Sequence, residues 1–158
     1  MLVFDASSII YAWDNYPVVQ FPGLWDWIGD QIHRNLIQLP SVAFAEVEHP
    51  APDCAAWLDA SGLSRIAMTN EILLDALRIK TVLGIVDDKY GGGVGENDLF
   101  IISTARAYRT TLVSDERTQP GLPKLMSNYK IPAVCAMRDV GVECISFLDF
   151  IKRSEAVF

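Results

Sequence analysis

Leu2-Val3-Phe4-Asp5-Ala6-Ser7-Ser8-Ile9-Ile10 decides the reading of the fold. Three consecutive apolar residues ending at an aspartate read as a short strand buried on both faces, because a strand with one wet face would alternate apolar and polar side chains. Ser7, Ser8 and the apolar residues after them predict a turn straight into a helix. Strand, acid, helix is the opening of an α/β unit, and the rest of the chain repeats the alternation.

Pro17 and Pro22 punctuate a loop. A helix is expected over Leu24–Asn35, with Leu24, Trp27, Ile28 and Ile32 on one face. Ile37–Leu39 follows as a strand. Pro40-Ser41 opens another helix, with Ser41 as its cap, and His49-Pro50-Ala51-Pro52 ends it. Asp53 is placed to cap a helix over Cys54–Ala60, stopped by Ser61-Gly62. Asn70 is placed to cap a longer helix from Glu71 to about Val86, with Ile72, Leu73, Ala76, Leu77 and Leu83 on its apolar face. Residues 87–95 read as a glycine-rich flexible connector. Asn97 or Asp98 opens the next helix, which runs to about Tyr108. Thr111-Leu112-Val113 is a buried strand, residues 119–130 are irregular, Pro132 begins a helix ended by Gly141, Glu143-Cys144-Ile145 is a last strand, and Phe147–Lys152 a last helix. Short apolar strands between helices imply a parallel β-sheet flanked by helices on both faces, in a single domain over residues 1–158.

In such sheets ligands bind at the carboxyl ends of the strands, where Asp5 and Ser114-Asp115-Glu116 fall. Glu46 and Asp98 lie on helices that the same sheet can bring to that edge. Taken singly, each acid has a structural reading: Asp5, Asp115 and Glu116 as turn residues, Asp98 as a helix cap, Glu46 as part of a solvated face. Gathered together they would repel one another and resist ionising, unless a hard divalent cation joined them. A donor set of carboxylate oxygens without histidine points to Mg²⁺ or Mn²⁺ rather than zinc. Such an ion activates water and stabilises charge on a phosphodiester.

Other chemistries find less support. Gly91-Gly92-Gly93-Val94-Gly95-Glu96 is followed by no Gly-Lys-Ser/Thr, so it is no phosphate-binding loop. Asp5-Ala6-Ser7 lacks the second aspartate of an aspartyl-phosphate phosphatase. Ser7 and Ser8 lack the nucleophile elbow of a serine hydrolase. His33 and His49 have no second ligand at metal spacing. Trp13, Trp25, Trp27 and Trp57 occupy apolar helix positions and read as core or as a partner-docking surface. Cys54, Cys135 and Cys144 are three, with no C-x-x-C pair, and read as free thiols in a reducing cytoplasm. No stretch is long and apolar enough to span a membrane.

The chain carries 13 basic and 20 acidic residues, a net charge of −7, which argues against a broad basic face for nucleic acid. The charge is uneven. Residues 1–79 hold 3 basic and 10 acidic residues (3 − 10 = −7), and residues 80–158 hold 10 of each (10 − 10 = 0). Any RNA contacts are expected among the cations of the second half.

The placement of the acids resembles the PIN-domain family. Leu2 to Ile10 resembles the family's opening strand, acid and hydroxyl residue. Ser41-Val42-Ala43-Phe44-Ala45-Glu46-Val47 resembles the helix bearing the second acid, and Asn97-Asp98-Leu99-Phe100-Ile101-Ile102-Ser103-Thr104-Ala105 the helix bearing the third. Thr111-Leu112-Val113-Ser114-Asp115-Glu116 resembles the strand and turn that end in Thr-x-Asp, and Lys130-Ile131-Pro132-Ala133-Val134-Cys135 a segment of stand-alone prokaryotic PIN proteins. The resemblance implies metal-binding, catalytic roles for Asp5, Glu46 and Asp98, with Ser7 hydrogen-bonding beside them. If Ser114 stands for the motif's threonine, the fourth acid is Glu116; the adjacent Asp115 is the alternative. The resemblance further implies an Mg²⁺- or Mn²⁺-dependent endoribonuclease of the VapC-like toxin kind. Such a protein has an RNA substrate, a small antitoxin partner and a homodimeric state. The alternative expectation is a PIN fold without activity that serves as an RNA- or protein-binding module.

Overall fold

The computed structural model describes all 158 residues. Five strands, β1 (Leu2–Phe4), β2 (Ile37–Pro40), β3 (Arg65–Ile66), β4 (Leu112–Val113) and β5 (Cys144–Ile145), form one sheet in the order β3-β2-β1-β4-β5. Every neighbouring pair is parallel, with Val3 opposite Gln38 on one side and Leu112 on the other. A parallel pair needs a crossover, and helices supply it. They are α1 (Ala6–Asn15), α2 (Pro22–His33), α3 (Ser41–Glu48), α4 (Pro52–Ala60), α5 (Asn70–Val82), α6 (Glu96–Ala107), α7 (Ile131–Cys135) and α8 (Phe147–Ser154). The expected α/β class and parallel sheet are present.

β1 lies at the centre with Val3 and Phe4 buried on opposite faces and Leu2 half-buried. Val3 and Phe4 are fully buried, and the Phe4 ring meets Phe150 edge-on at 5.1 Å. They belong to a core of 38 buried residues that includes the inner faces of α2 (Leu24, Trp25, Ile28, Ile32) and α6 (Leu99, Ile101, Ile102, Ala105). Of the tryptophans Trp25 belongs to this core, edge-on to Trp13 at 5.2 Å and to Trp57 at 4.9 Å, while Trp13, Trp27 and Trp57 are half-buried against it.

Several helix starts differ from expectation by a residue or two, for identifiable reasons. Ser41 does not cap α3. Its hydroxyl donates to the Ile66 carbonyl at 3.2 Å, tying the helix start to β3, a strand too short to show in the sequence pattern. Asp53 does not cap α4, because Pro52 already occupies the first turn and Ala51 is the capping position. Asn70 is the first residue of α5 and Thr69 caps it, its Oγ1 accepting the Ile72 N–H at 3.2 Å. That helix stops at Val82, ahead of Gly84 at φ +72°, rather than reaching Val86. Its buried face is Ile72, Ala76 and Ile79; Leu73 and Leu77 point outward.

Candidate functional site

The central strand delivers Asp5 to the carboxyl edge of the sheet and α1 begins immediately after it. The side chain is buried, 3% exposed, and its Oδ2 accepts two hydroxyl bonds. One comes from Ser7 in the first turn of α1, the other from Ser114 at the end of β4 at 2.9 Å. Each hydroxyl also serves the chain behind it. Ser7 Oγ accepts the Asp115 N–H at 3.0 Å, and Ser114 Oγ accepts the Glu116 N–H at 3.2 Å. Ser8 Oγ completes the seam, donating to the Val113 carbonyl at 3.1 Å. The two strand ends are thus stitched around one carboxylate.

Glu46 reaches the same edge from α3 and Asp98 from α6. Asp98 Oδ2 accepts the Gly95 N–H at 2.8 Å, and Asn97 Nδ2 donates to Glu46 Oε1 at 3.0 Å. With Gly95 and Glu96 these residues line an open pocket of about 290 Å³ that no hydrophobic residue lines. Asn97 is a site residue the sequence reading missed. It stood out only as a possible cap, and nothing local signals that its amide spans to a helix 51 positions earlier.

Electrostatics tie the cluster together. Burial raises Asp98 from 3.8 to about 6, opposed by the Gly95 N–H and reinforced by the charges of Asp5, Glu46 and Glu116. Burial also raises Glu46, opposed by the Asn97 hydrogen bond and reinforced by Asp5 and Glu116. None of Asp5, Glu46, Asp98, Asp115 and Glu116 has a cationic partner. The ion pairs lie elsewhere, at Arg34–Asp30, Arg65–Asp59, Arg78–Asp75, Arg106–Asp75 and Arg153–Glu143.

The two acids after β4 separate. Asp115 turns toward α8, where its Oδ2 accepts the N–H of Phe147, the first residue of that helix, at 3.1 Å. Burial raises it, the Phe147 bond lowers it, and Asp5 and Asp149 raise it further. Glu116 adds to the negative charge felt at both Glu46 and Asp98.

The donor set fits a hard cation in its chemistry: carboxylate oxygens, an amide oxygen next to them, no imidazole or thiolate, and unbalanced negative charge. No three acidic side chains converge on one point. Mg²⁺ keeps several of its waters and is commonly held by one or two carboxylates, so convergence of three is not a requirement for it.

The five-stranded parallel sheet flanked by helices is a PIN-like α/β fold. Among solved structures the chain is similar to VapBC2 from Rickettsia felis bound to a DNA fragment from their promoter. The likeness has a TM-score of 0.52 at 20% identity, over 82% of this chain and 96% of that one. The chain belongs to the family described as domain of unknown function DUF4411, whose model matches residues 2–158. No curated protein matches it in sequence. No helix is long and apolar enough to cross a membrane.

Proposed function

We propose that this chain is a metal-dependent endoribonuclease and the toxin of a toxin–antitoxin pair. The observation that carries the reading is the group of mutually repelling carboxylates at the sheet edge with no basic residue to balance it. An uncompensated cluster of this kind is costly to a folded protein and is retained where it serves a site. Of Asp5, Glu46, Asp98 and Glu116, one or two would hold Mg²⁺ or Mn²⁺ directly and the others through its waters, with Asp115 committed to α8. The bound ion would supply an activated water and stabilise charge on the phosphate oxygens.

The chain's own residues set the stage. Ser7 and Ser114 fix the rotamer of Asp5, and since both spend their protons on Oδ2, they leave Oδ1 free to face a ligand. Gly95 fixes Asp98 and Asn97 fixes Glu46. On this reading the protein acts on RNA in the cytoplasm, pairs with a small antitoxin and forms a homodimer. The PIN-like fold and its likeness to VapBC2 support that reading.

The test is cleavage of total cellular RNA by the purified chain with Mg²⁺ or Mn²⁺, beside Asp5→Asn. The expected result is discrete cuts that vanish with EDTA and in the variant, whose circular dichroism is unchanged. Chelator-resistant cutting, or full activity in Asp5→Asn, refutes the assignment. No cutting by the wild type at any divalent ion moves the fold to the role of a binding module.

A further inference from the structure

Gly91-Gly92-Gly93 reads in the sequence as a flexible connector, but the structure shows it as a crossing point between two loops. Residues 83–95 lead into α6, which begins at Glu96 and carries Asp98; residues 114–130 leave β4 and carry Glu116. Where they meet, Asn128 Oδ1 accepts the Gly92 N–H at 2.8 Å and the Tyr129 carbonyl accepts the Val94 N–H at 2.8 Å. The backbones approach so closely that side chains are excluded. A Cβ on Gly91 would lie 2.9 Å from the Ser127 carbonyl oxygen. One on Gly93 would lie 2.5 Å from the Asn128 carbonyl carbon and 2.7 Å from that of Tyr129. None of these three glycines has a positive φ, so at Gly91 and Gly93 contact rather than conformation is what demands glycine.

The second loop is held in shape for this crossing by Gln119. Its Nε2 donates to the Asn128 carbonyl at 3.1 Å and its Oε1 accepts the Lys130 N–H at 2.8 Å. One amide thus closes the loop across 11 residues and presents the Asn128 side chain to Gly92. Immediately beyond the crossing, Val94 is buried, 1% exposed, and Gly95 donates to Asp98. At the other end of the second loop, Glu116 and the Ser114–Asp5 bond lie three to five residues before Gln119.

We infer that Asn128 and Gln119 are positioning residues for the acidic site: by clamping the two loops at the glycine crossing, they hold Gly95, and through it Asp98, against the sheet edge. The inference rests on the metal-site reading above, because it assigns what the clamp is for. Neither residue touches an acid. They act through the backbone of residues 92–95, as outer residues orient the ligands of a metal centre. The clamp is formed from half-exposed amides, so its loss loosens a loop and leaves the core intact.

The experiment compares the full chain with Asn128→Ala, Gln119→Ala and Asn128→Asp, the last retaining an oxygen acceptor for the Gly92 N–H. Three quantities are read: hydrogen exchange of the amides of Gly92, Val94 and Gly95, Mn²⁺ affinity by electron paramagnetic resonance, and the melting temperature. The expected result for both alanine variants is exchange at least tenfold faster at those three amides and Mn²⁺ binding weakened by about tenfold. The melting temperature should fall by no more than about 2–4 °C. Asn128→Asp should restore slow exchange and most of the affinity. Unchanged exchange at Gly95 in the alanine variants overturns the clamp. So does Mn²⁺ affinity equal to that of a wild type that binds the ion. If the wild type itself fails to bind Mn²⁺, the metal-site reading falls. The clamp then stands or falls on the Gly95 amide alone.

Discussion

Asp98→Asn should raise the melting temperature of the metal-free protein at pH 7, the opposite of what removing a charged helix-start residue ordinarily does. Burial and the neighbouring charges of Asp5, Glu46 and Glu116 lift this carboxyl from 3.8 to about 6, despite the Gly95 N–H. One pKa unit corresponds to about 1.4 kcal/mol, so ionising Asp98 costs the folded state about 3 kcal/mol. The folded value lies above the unfolded one, so the folded chain keeps a proton that the unfolded chain has already released. The resulting stability is complete below pH 3.8, is lost as pH rises across the interval to about 6, and is absent at pH 7. Asparagine imitates the protonated acid and keeps an oxygen for the Gly95 N–H. Recovery of about half the cost, roughly 1.5 kcal/mol, corresponds to a rise of about 3–6 °C for a domain of this size. The assay is thermal unfolding followed by circular dichroism in EDTA, from about pH 4 to 8. The variant should melt slightly below the wild type near pH 4, cross it near about pH 5 and lie above it from about pH 6 upward. Saturating Mg²⁺ should lift the wild type and leave the variant behind. A variant that melts at or below the wild type at pH 7 in EDTA would show that Asp98 is a stabilising cap, and the repulsive cluster would have no energetic basis.

Two further outcomes test the division of labour within the site and the glycine crossing. Glu116→Gln should weaken Mn²⁺ binding and cleavage by about tenfold or more without lowering stability. Asp115→Ala should instead lose about 1 kcal/mol through the Phe147 N–H it leaves unpaired, a difference that denaturant melts beside a cleavage assay will resolve. Gly93→Ala should cost about 1–3 kcal/mol, because its new methyl meets rigid backbone, whereas Gly92→Ala meets nothing nearer than 3.8 Å and should fall within about 1 kcal/mol of wild type; urea titration of both variants checks the contrast.

The parts of the molecule legible in sequence are those where one physical cause acts locally. Leu2-Val3-Phe4 had to be a buried strand because three adjacent apolar side chains cannot share one face. α6 was readable from Asn97 onward because an acid in its first turn and a run of apolar residues define a helix start. The acids were found as candidates because ligands bind at the carboxyl ends of parallel strands and because the order of the acids along the chain resembles the PIN domain. The errors fall where a local signal had a distant competitor. Ser41, Asp53 and Asn70 are all good caps in isolation. Each was displaced, Ser41 by a bond to β3, Asp53 by the neighbouring Pro52, and Asn70 by Thr69 one residue earlier. Leu73 and Leu77 fit a helical stripe, yet the face that meets the core is the one bearing Ile72, Ala76 and Ile79.

By itself the sequence determined the α/β class, the acids at the strand ends and the net negative charge, since these follow from residue type and short spacing. Tertiary structure alone showed that Asp115 accepts the Phe147 N–H, because only the position of α8 brings that N–H to the end of β4. It also decided that Asn97 holds Glu46. And it turned Gly91-Gly92-Gly93 from a flexible connector into a packed crossing, because whether a glycine is there for freedom or for want of space depends on what lies opposite, and what lies opposite is Ser127-Asn128-Tyr129, more than thirty residues along the chain.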